Sequence, residues 1–384
     1  MTDMYQAFRQ HFQSDLQGIA SAPGRVNLIG EFTDFNGGFV YPAALQFRTQ
    51  VAFRLRNDDQ VFVYSQNYPQ ESDQFSVQNQ LAPGPCQWGN YVRAVFAVFQ
   101  QREYALKGME LVIASDVPQG AGLSSSAALE VAVAGAINAA LSLTLSPQQL
   151  AVIGQQAEND FMDCQCGIMD QLVSATGQAG HAVLIDCESL ERRFTPIPKC
   201  LSLLIINSNY PRKLVDSAYN QRRRDCEQAA AAMGLSSLRE ATLPMLEQCR
   251  ASMTADQYRR ARHVITENAR VFAFEEALGA SDINAMSNLM RASHQSLKHD
   301  FEVTVPATDG LVAICDDLLG QAGAARMTGG GFGGAIVCLC PHDRVETLNR
   351  RIKREYPQQF GLEADIYQAD IGDGLTLKIH PCSH

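Results

Sequence analysis

Apolar and polar positions change period along the chain. QVAFRL (50–55), QVFVYS (60–65) and MELVIAS (109–115) carry the alternating, β-branched pattern of strands. HAVLID (181–186) and LSLLIIN (201–207) are apolar enough to predict buried strands. The opening MTDMYQAFRQHF reads as a short amphipathic helix, and Ala127 to Leu141 as an Ala-rich one. Ser146–Pro147 supplies an N-cap and a proline at the first helical position, predicting a helix to about Asn159. After Asn207 the texture turns helical, over 214–232, 257–278, 281–298, 308–320 and 344–354. AARMT (324–328) and AIVCLC (335–340) read as strands flanking a glycine cluster. Strands and helices are partly segregated, which predicts an α+β protein. The change of texture places a boundary near residue 200, with domains 1–200 and 201–384.

The 384 residues suffice for two cores. A formal net charge of -10 disfavours nucleic acid as a partner, without opposing a nucleotide held by backbone N–H groups. No apolar run is long enough to predict a membrane span. No basic segment precedes an apolar one at the start, so no secretory signal is expected. The 11 cysteines then read as reduced thiols in a cytoplasmic protein. Cys164/Cys166 and Cys338/Cys340 each have one residue between them, too close for a zinc knuckle, and the second pair is expected on one face of a buried strand.

Four segments carry candidate chemistry. Pro118-Gln119-Gly120-Ala121-Gly122-Leu123-Ser124-Ser125-Ser126 follows a strand and opens a helix. Glycine lets backbone approach a ligand, the helix start offers unpaired N–H groups, and three hydroxyls add donors or a metal ligand. This describes a phosphate cradle, although it lacks the Lys-Ser/Thr ending of a Walker A loop; a flexible turn with a serine cap has the same composition. Residues 24–38, GRVNLIGEFTDFNGG, concentrate Arg25, Glu31 and Asp34 among glycines. Arg brings a permanent charge, and carboxylates accept from vicinal hydroxyls, so a binding loop competes with a capped surface turn. Residues 329–334 hold five glycines in six positions between two strands, which implies unusual backbone angles or a close ligand rather than a loose hairpin. In the fourth segment, Glu158 lies near one helix end and Asp170 near the next helix start, where the dipole favours a carboxylate. Taken alone, those positions are read more readily as solvated surface acids. The histidines show no metal-ligand or triad spacing, and His380 and His384 read as part of a frayed tail.

The three glycine-dense segments, in this order, resemble the signature motifs of GHMP kinases. GRVNLIGEFTDFNGG is similar to the signature of the galactokinase family in particular. WGNYVRAV, QQAENDF, CGIMDQLVSA, YNQRRRDCE, RARHVITENAR and DFEVTVP extend the resemblance over nearly the whole chain. It implies a two-domain GHMP kinase fold with the active site in the cleft between domains. It further implies ATP-dependent phosphorylation of galactose at its anomeric hydroxyl. Carried onto matching positions, Asp170 would be the catalytic carboxylate and Arg25 the charge stabiliser beside it. Glu31, Phe32, Asp34, Gly167, Asp170 and Tyr219 would bind the sugar. Backbone from Gly120 through Ala121, Gly122, Leu123, Ser124 and Ser125 to Ser126 would wrap the phosphates, Trp88 and Tyr91 would contact adenine, and Ser126 with Glu158 would hold Mg²⁺. No nucleic acid or membrane partner is implied, and a monomer is expected.

Two positions depart from the family pattern. Phe32 stands where the family usually has His, whose contact the resemblance assigns to the sugar's 6-hydroxyl, and Phe35 stands where Tyr is usual. One lost neutral hydrogen bond is worth about 0.5–1.5 kcal/mol, so galactose remains the expected substrate, with a galacto-sugar altered at carbon 6 as the alternative. A non-catalytic galactose and ATP sensor is disfavoured because Ser124–Ala128, Arg25 and Asp170 are all in place. A mevalonate or homoserine kinase is disfavoured by the match at 24–38.

Overall fold

A computed structural model describes residues 3–211 and 215–380, without the side chains of 215–217. The helix expected from 214 therefore begins outside the described residues, as do Cys382 and His384. In chain order the elements are α1 (Met4–Phe12), β1 (Gly18–Asn27), β2 (Phe39–Val40), β3 (Pro42–Leu55), β4 (Gln60–Ser65), β5 (Ser72–Ser76), α2 (Gly89–Gln101), β6 (Met109–Ser115) and α3 (Ser125–Ala140). There follow α4 (Pro147–Phe161), α5 (Met169–Thr176), β7 (His181–Asp186), β8 (Arg192–Pro196), β9 (Leu201–Asn207), α6 (Val215–Ala232), α7 (Leu243–Gln248) and α8 (Ala255–Gly279). The last are α9 (Ile283–Ser296), α10 (Pro306–Leu319), β10 (Ala324–Met327), β11 (Ala335–Pro341), α11 (Val345–Phe360), β12 (Asp365–Ala369) and β13 (Thr376–Ile379).

The strands form three sheets, ordered β13-β1-β3-β6-β4-β5, β10-β11-β9-β12 and β2-β7-β8. The first is covered by α2, α3, α4 and α5, whose apolar stripes share one core with Val51, Phe53, Leu111 and Ile113. Helix α4 starts as expected: Ser146 and Gln149 form a reciprocal capping box ahead of Pro147. Strand β9 is buried on both faces, which accounts for its unbroken apolar run. Leu203 and Ile205 face α8 and α9, while Leu204 and Ile206 face α10 and α11. Cys338 and Cys340 join the second of these faces, as their spacing predicted. Cys164 and Cys166 are only half-buried, and Cys200 is exposed.

Strand β13 returns to the first sheet, pairing Thr376–Ile379 antiparallel with Gly18–Ser21. His380 is consequently not frayed: its N–H donates to the Gln17 carbonyl at 2.9 Å. Backbone hydrogen bonds of an edge strand hold the segment where composition alone suggested a loose tail. Among the described residues no helix is long and apolar enough to cross a membrane.

Candidate active site

The turn between β6 and α3 lies over the end of β1. Gly120 (φ 73°) and Gly122 (φ 70°) take left-handed angles that glycine adopts without strain, and Ser124 does so as well (φ 56°). Ser124 is the N-cap of α3 but caps nothing with its side chain. Its hydroxyl instead donates to Asp170 Oδ2. The first amides of α3 are thus left for a ligand rather than closed by a serine cap, which favours the cradle over the simple turn.

Arg25, at the end of β1, joins the parts. Its Nε and Nη2 donate to the two Asp170 oxygens, each at 2.7 Å, and Nη1 donates to the Gly122 carbonyl at 2.7 Å. Its backbone N–H reaches the Leu123 carbonyl at 3.0 Å. Burial alone would lower the affinity of the guanidinium for its proton, but Asp170, and after it Glu31 and Asp34, outweigh burial and raise it. The Arg25 side chain is 6% exposed and that of Asp170 26%, so the pair is sunk while the carboxylate still meets the cleft. Asp170 sits in the first turn of α5, as expected.

Residues 24–38 line the same cleft and are wired from beneath. Glu31 Oε1 accepts from the Gly329 N–H at 2.9 Å and lies 3.4 Å from Nη2 of the fully buried Arg326. Arg326 Nη1 also donates to the Asn27 carbonyl at 3.0 Å. His263 Nε2 donates to the Glu31 carbonyl at 3.0 Å. Buried Glu267 accepts the Gly30 N–H at 2.9 Å and pairs with Arg270 at 2.7 Å. Asp34 lies so close to Gly167 that a Cβ there would meet Asp34 Oδ2 at 2.2 Å, so any side chain at 167 would displace the Asp34 carboxyl. Burial, and next the charge of Asp170, push the Asp34 carboxyl up to about 7. Phe32 takes a left-handed φ of 63°, with its ring centroid 4.6 Å from that of Phe301 and 5.7 Å from that of Tyr219.

The third glycine segment completes the enclosure. Gly329 (φ 78°) lies against the turn between β6 and α3, where a Cβ would meet the Gly122 carbonyl oxygen at 3.0 Å. The segment is a buttress for the loop rather than a loose hairpin.

The cleft so formed holds about 350 Å³ and is lined by Arg25, Glu31, Phe32, Asp34, Tyr91, Gly120, Gly122, Leu123, Ser124, Ser125, Ser126, Glu158, Gly167, Asp170 and Tyr219 among others. Two expected residues lie outside that lining. Trp88 borders an adjoining space of about 270 Å³ that shares Tyr91, Ser125 and Ser126. The Ala121 methyl points into the core, which leaves only backbone to offer a phosphate.

Glu158 lies half-buried beside Ser126. Burial, and next Asp170, push its carboxyl up to about 7 against the bonds from Ser126, Cys166 and Gln171. Gln171 Nε2 bridges Glu158 at 2.8 Å and the fully buried Glu130 at 3.0 Å. Among the described residues no group of three or more His, Cys, Asp and Glu is arranged to hold a metal ion. A hydroxyl and one carboxylate, crowded by a second acid, are a donor set of hard oxygens. They fit a Mg²⁺ that keeps waters and phosphate oxygens as its other ligands.

Sequence reasoning assigned no chemistry to Arg326, His263, Glu267 or Gln171. The first and the last adjoin motifs that were noticed. The other two lie in RARHVITENAR, whose polar residues read as an ordinary helix surface until α8 is placed under residues 24–38.

Comparison with known proteins bears on the family and the fold. Residues 6–55 match the galactokinase galactose-binding signature, residues 90–178 the GHMP kinases N terminal domain, and residues 274–358 the GHMP kinases C terminal profile. The galactokinase of Lactococcus lactis, solved with galactose, is 33% identical with a TM-score of 0.93, over 97% of this chain and 98% of that one. Methanococcus jannaschii mevalonate kinase shares the fold at 16% identity and a TM-score of 0.66, over 92% and 98%. Streptococcus pneumoniae phosphomevalonate kinase does so at 14% and 0.65, over 91% and 99%. The fold is common to all of these, whereas the identity and the signature over residues 6–55 single out one branch: the chain belongs to the galactokinase family of GHMP kinases.

Proposed function

We propose that the protein transfers the γ-phosphoryl group of ATP to the anomeric hydroxyl of D-galactose, giving galactose 1-phosphate and ADP. The observation that carries this reading is the bidentate Arg25–Asp170 pair at the point where three glycine-dense stretches meet. Asp170 accepts the proton of the sugar hydroxyl, whose oxygen bonds to phosphorus as the bond to the β–γ bridging oxygen breaks. Arg25 keeps Asp170 ionised and stabilises charge on the transferring group. Asp34 and the cleft side of Glu31 accept from sugar hydroxyls, with Gly167, Phe32 and Tyr219 shaping the wall. Backbone N–H groups from Gly120 to Ser126 hold the phosphates, and Trp88 and Tyr91 border the base. Ser126 and Glu158 would hold Mg²⁺, which when bound neutralises phosphate charge. We place the protein in the cytoplasm as a monomer, with halves 1–200 and 201–384 on either side of the cleft and β13 reaching back to the first half.

One observation favours a second reading. The Phe32 ring lines the cleft among Phe301 and Tyr219 and offers no hydrogen bond. A galacto-sugar lacking the 6-hydroxyl would lose nothing there. ADP release with galactose, fucose, N-acetylgalactosamine, 2-deoxygalactose and galacturonate decides between the two. Galactose is expected to turn over fastest. A higher kcat/KM for fucose selects the second reading, and no turnover with any of them overturns both. In parallel, Phe32→His should tighten galactose about two- to tenfold, the worth of one hydrogen bond; no change, or a loss, removes residue 32 from the sugar contact.

A further inference from the structure

We infer that Tyr68 is a specificity residue for the nucleotide: it closes over the base opposite Trp88 and ties base binding to the phosphate loop. The inference rests on the placement of ATP proposed above and adds to it a residue that no motif marks.

Tyr68 and Trp88 present their rings nearly parallel, 11° apart, with centroids separated by 6.2 Å. Both border the space of about 270 Å³ that opens onto Ser125 and Ser126. Phosphates held by the loop would leave a nucleotide base to enter this space, which Tyr91, Ile113 and Leu129 line together with the pair. The two rings differ in how they are held. Trp88 packs against the main core, and its Nε1 is buried with no hydrogen-bond partner among the described residues, a donor left for a ligand to satisfy. Tyr68 is 37% exposed, on the segment after β4. Exposed though it is, its backbone is fixed. Neighbouring Asn67 exchanges two 2.8 Å hydrogen bonds with Ser115 at the end of β6. Pro69 follows and restricts Tyr68 to extended angles. The Glu71 N–H closes a turn onto the Tyr68 carbonyl at 3.0 Å. A solvent-facing aromatic side chain on a pinned backbone can swing against a planar ligand without rearranging the fold.

The tyrosine hydroxyl supplies the coupling. Tyr68 Oη donates to Gln119 Oε1 at 3.0 Å, and Gln119 directly precedes Gly120. A base lodged under Tyr68 therefore bears on the residue that leads into the phosphate turn. Among the described residues nothing lies within 4 Å of where a Cβ on Gly120 would be, so the start of the turn has room to adjust, while its later residues are held by Arg25 and Asp170.

Trp88 is the chain's single tryptophan, which gives the test a local readout. ADP titrated into the full-length protein should change Trp88 fluorescence. Tyr68→Ala should weaken ADP about tenfold, within the range for loss of a base–aromatic stack. It should leave the galactose KM, and inhibition by inorganic tripolyphosphate, within twofold of wild type. Tyr68→Phe keeps the ring and should hold ADP within threefold. Because residue 68 is exposed, both variants should fold, and circular dichroism checks this. ADP affinity unchanged in Tyr68→Ala while the wild type responds would overturn the inference and leave the ATP reading standing. Equal losses for ADP and tripolyphosphate would also overturn it, as a loop defect and not a base contact. A wild type that binds no ADP would bring down the nucleotide placement itself.

Discussion

Two of the three glycine-rich stretches around the cleft are built in opposite ways. The turn from Gly120 to Ser126 is open at its start, where a Cβ on Gly120 would meet nothing within 4 Å, and is tied from one side by Arg25 to the Gly122 and Leu123 carbonyls, by Ser124 to Asp170 and by Tyr68 to Gln119. The segment from Gly24 to Gly38 is packed on a buried scaffold of Glu267, His263, Asn268 and Arg326, drawn from the other half of the sequence. On the function proposed above, the difference follows from what each would bind. A polyanion is held by backbone amides, which need exposure and tolerate adjustment. Hydroxyl groups are told apart by side-chain oxygens in fixed places, which need support from below.

The largest effect should come from removing that support. In Arg326→Met, Glu31 keeps the Gly329 N–H but loses its buried cation, a change worth about 3–5 kcal/mol when one partner of a buried pair is deleted. Urea unfolding should show the loss, the galactose KM should rise, and ADP affinity should stay within about threefold. A parallel loss of ADP binding would mean that the two stretches do not separate.

Acid should strike the scaffold next. Burial lowers the pKa of His263 to about 4, from an ordinary value near 6.5, even though Glu267 opposes it. The unfolded chain takes up this proton first, so the contribution is full above pH 6.5 and is lost as pH falls through 4. Over about 2.5 units that amounts to roughly 3 kcal/mol. Glu267, lowered to about 2 by Arg270, His263 and Arg326 against its burial, adds a further loss below pH 4.5. His263→Gln, which keeps a donor for the Glu31 carbonyl, should flatten the stability profile between pH 6.5 and 4. An unchanged slope would show that another group titrates there.

The smallest contrast compares single methyl groups. A Cβ at Gly38 would sit 2.5 Å from Asn268 Oδ1 and 2.8 Å from the Thr33 carbonyl, so Gly38→Ala should cost about 1–3 kcal/mol of stability. At Gly120 the space is open and only the left-handed angle objects, about 1–2 kcal/mol. Gly120→Ala should register mainly in the KM for ATP. Equal stability losses at the two sites would erase the distinction drawn here.

The sequence made the bare loop easier to read than the scaffold. A glycine-dense turn between a strand and a helix states its chemistry locally, so the 118–128 segment and Arg25 were legible, as were β4, β6, β7 and β9 to the residue. Residues 31 and 326 meet only because β10 lies beside the end of β1. No local pattern encodes that contact. Helix α8 hides Glu267 and His263 among ordinary polar positions for the same reason, and β13 is short and exposed along its whole length, so nothing in its composition announces that it pairs with β1. Sequence spacing reports what a segment can do; which segments face one another is decided by topology.

The central claim, that Asp170 paired with Arg25 takes the proton of a sugar's anomeric hydroxyl, is tested most directly by ³¹P NMR. The wild-type and Asp170→Ala proteins would be followed with galactose, ATP and Mg²⁺. The account predicts a galactose 1-phosphate signal growing with ADP in the wild type, and in the variant a kcat lower by about 10²–10⁴ with ADP affinity preserved. Galactose 1-phosphate formed by the variant at the wild-type rate, or a wild type that releases inorganic phosphate with no sugar phosphate, would contradict it.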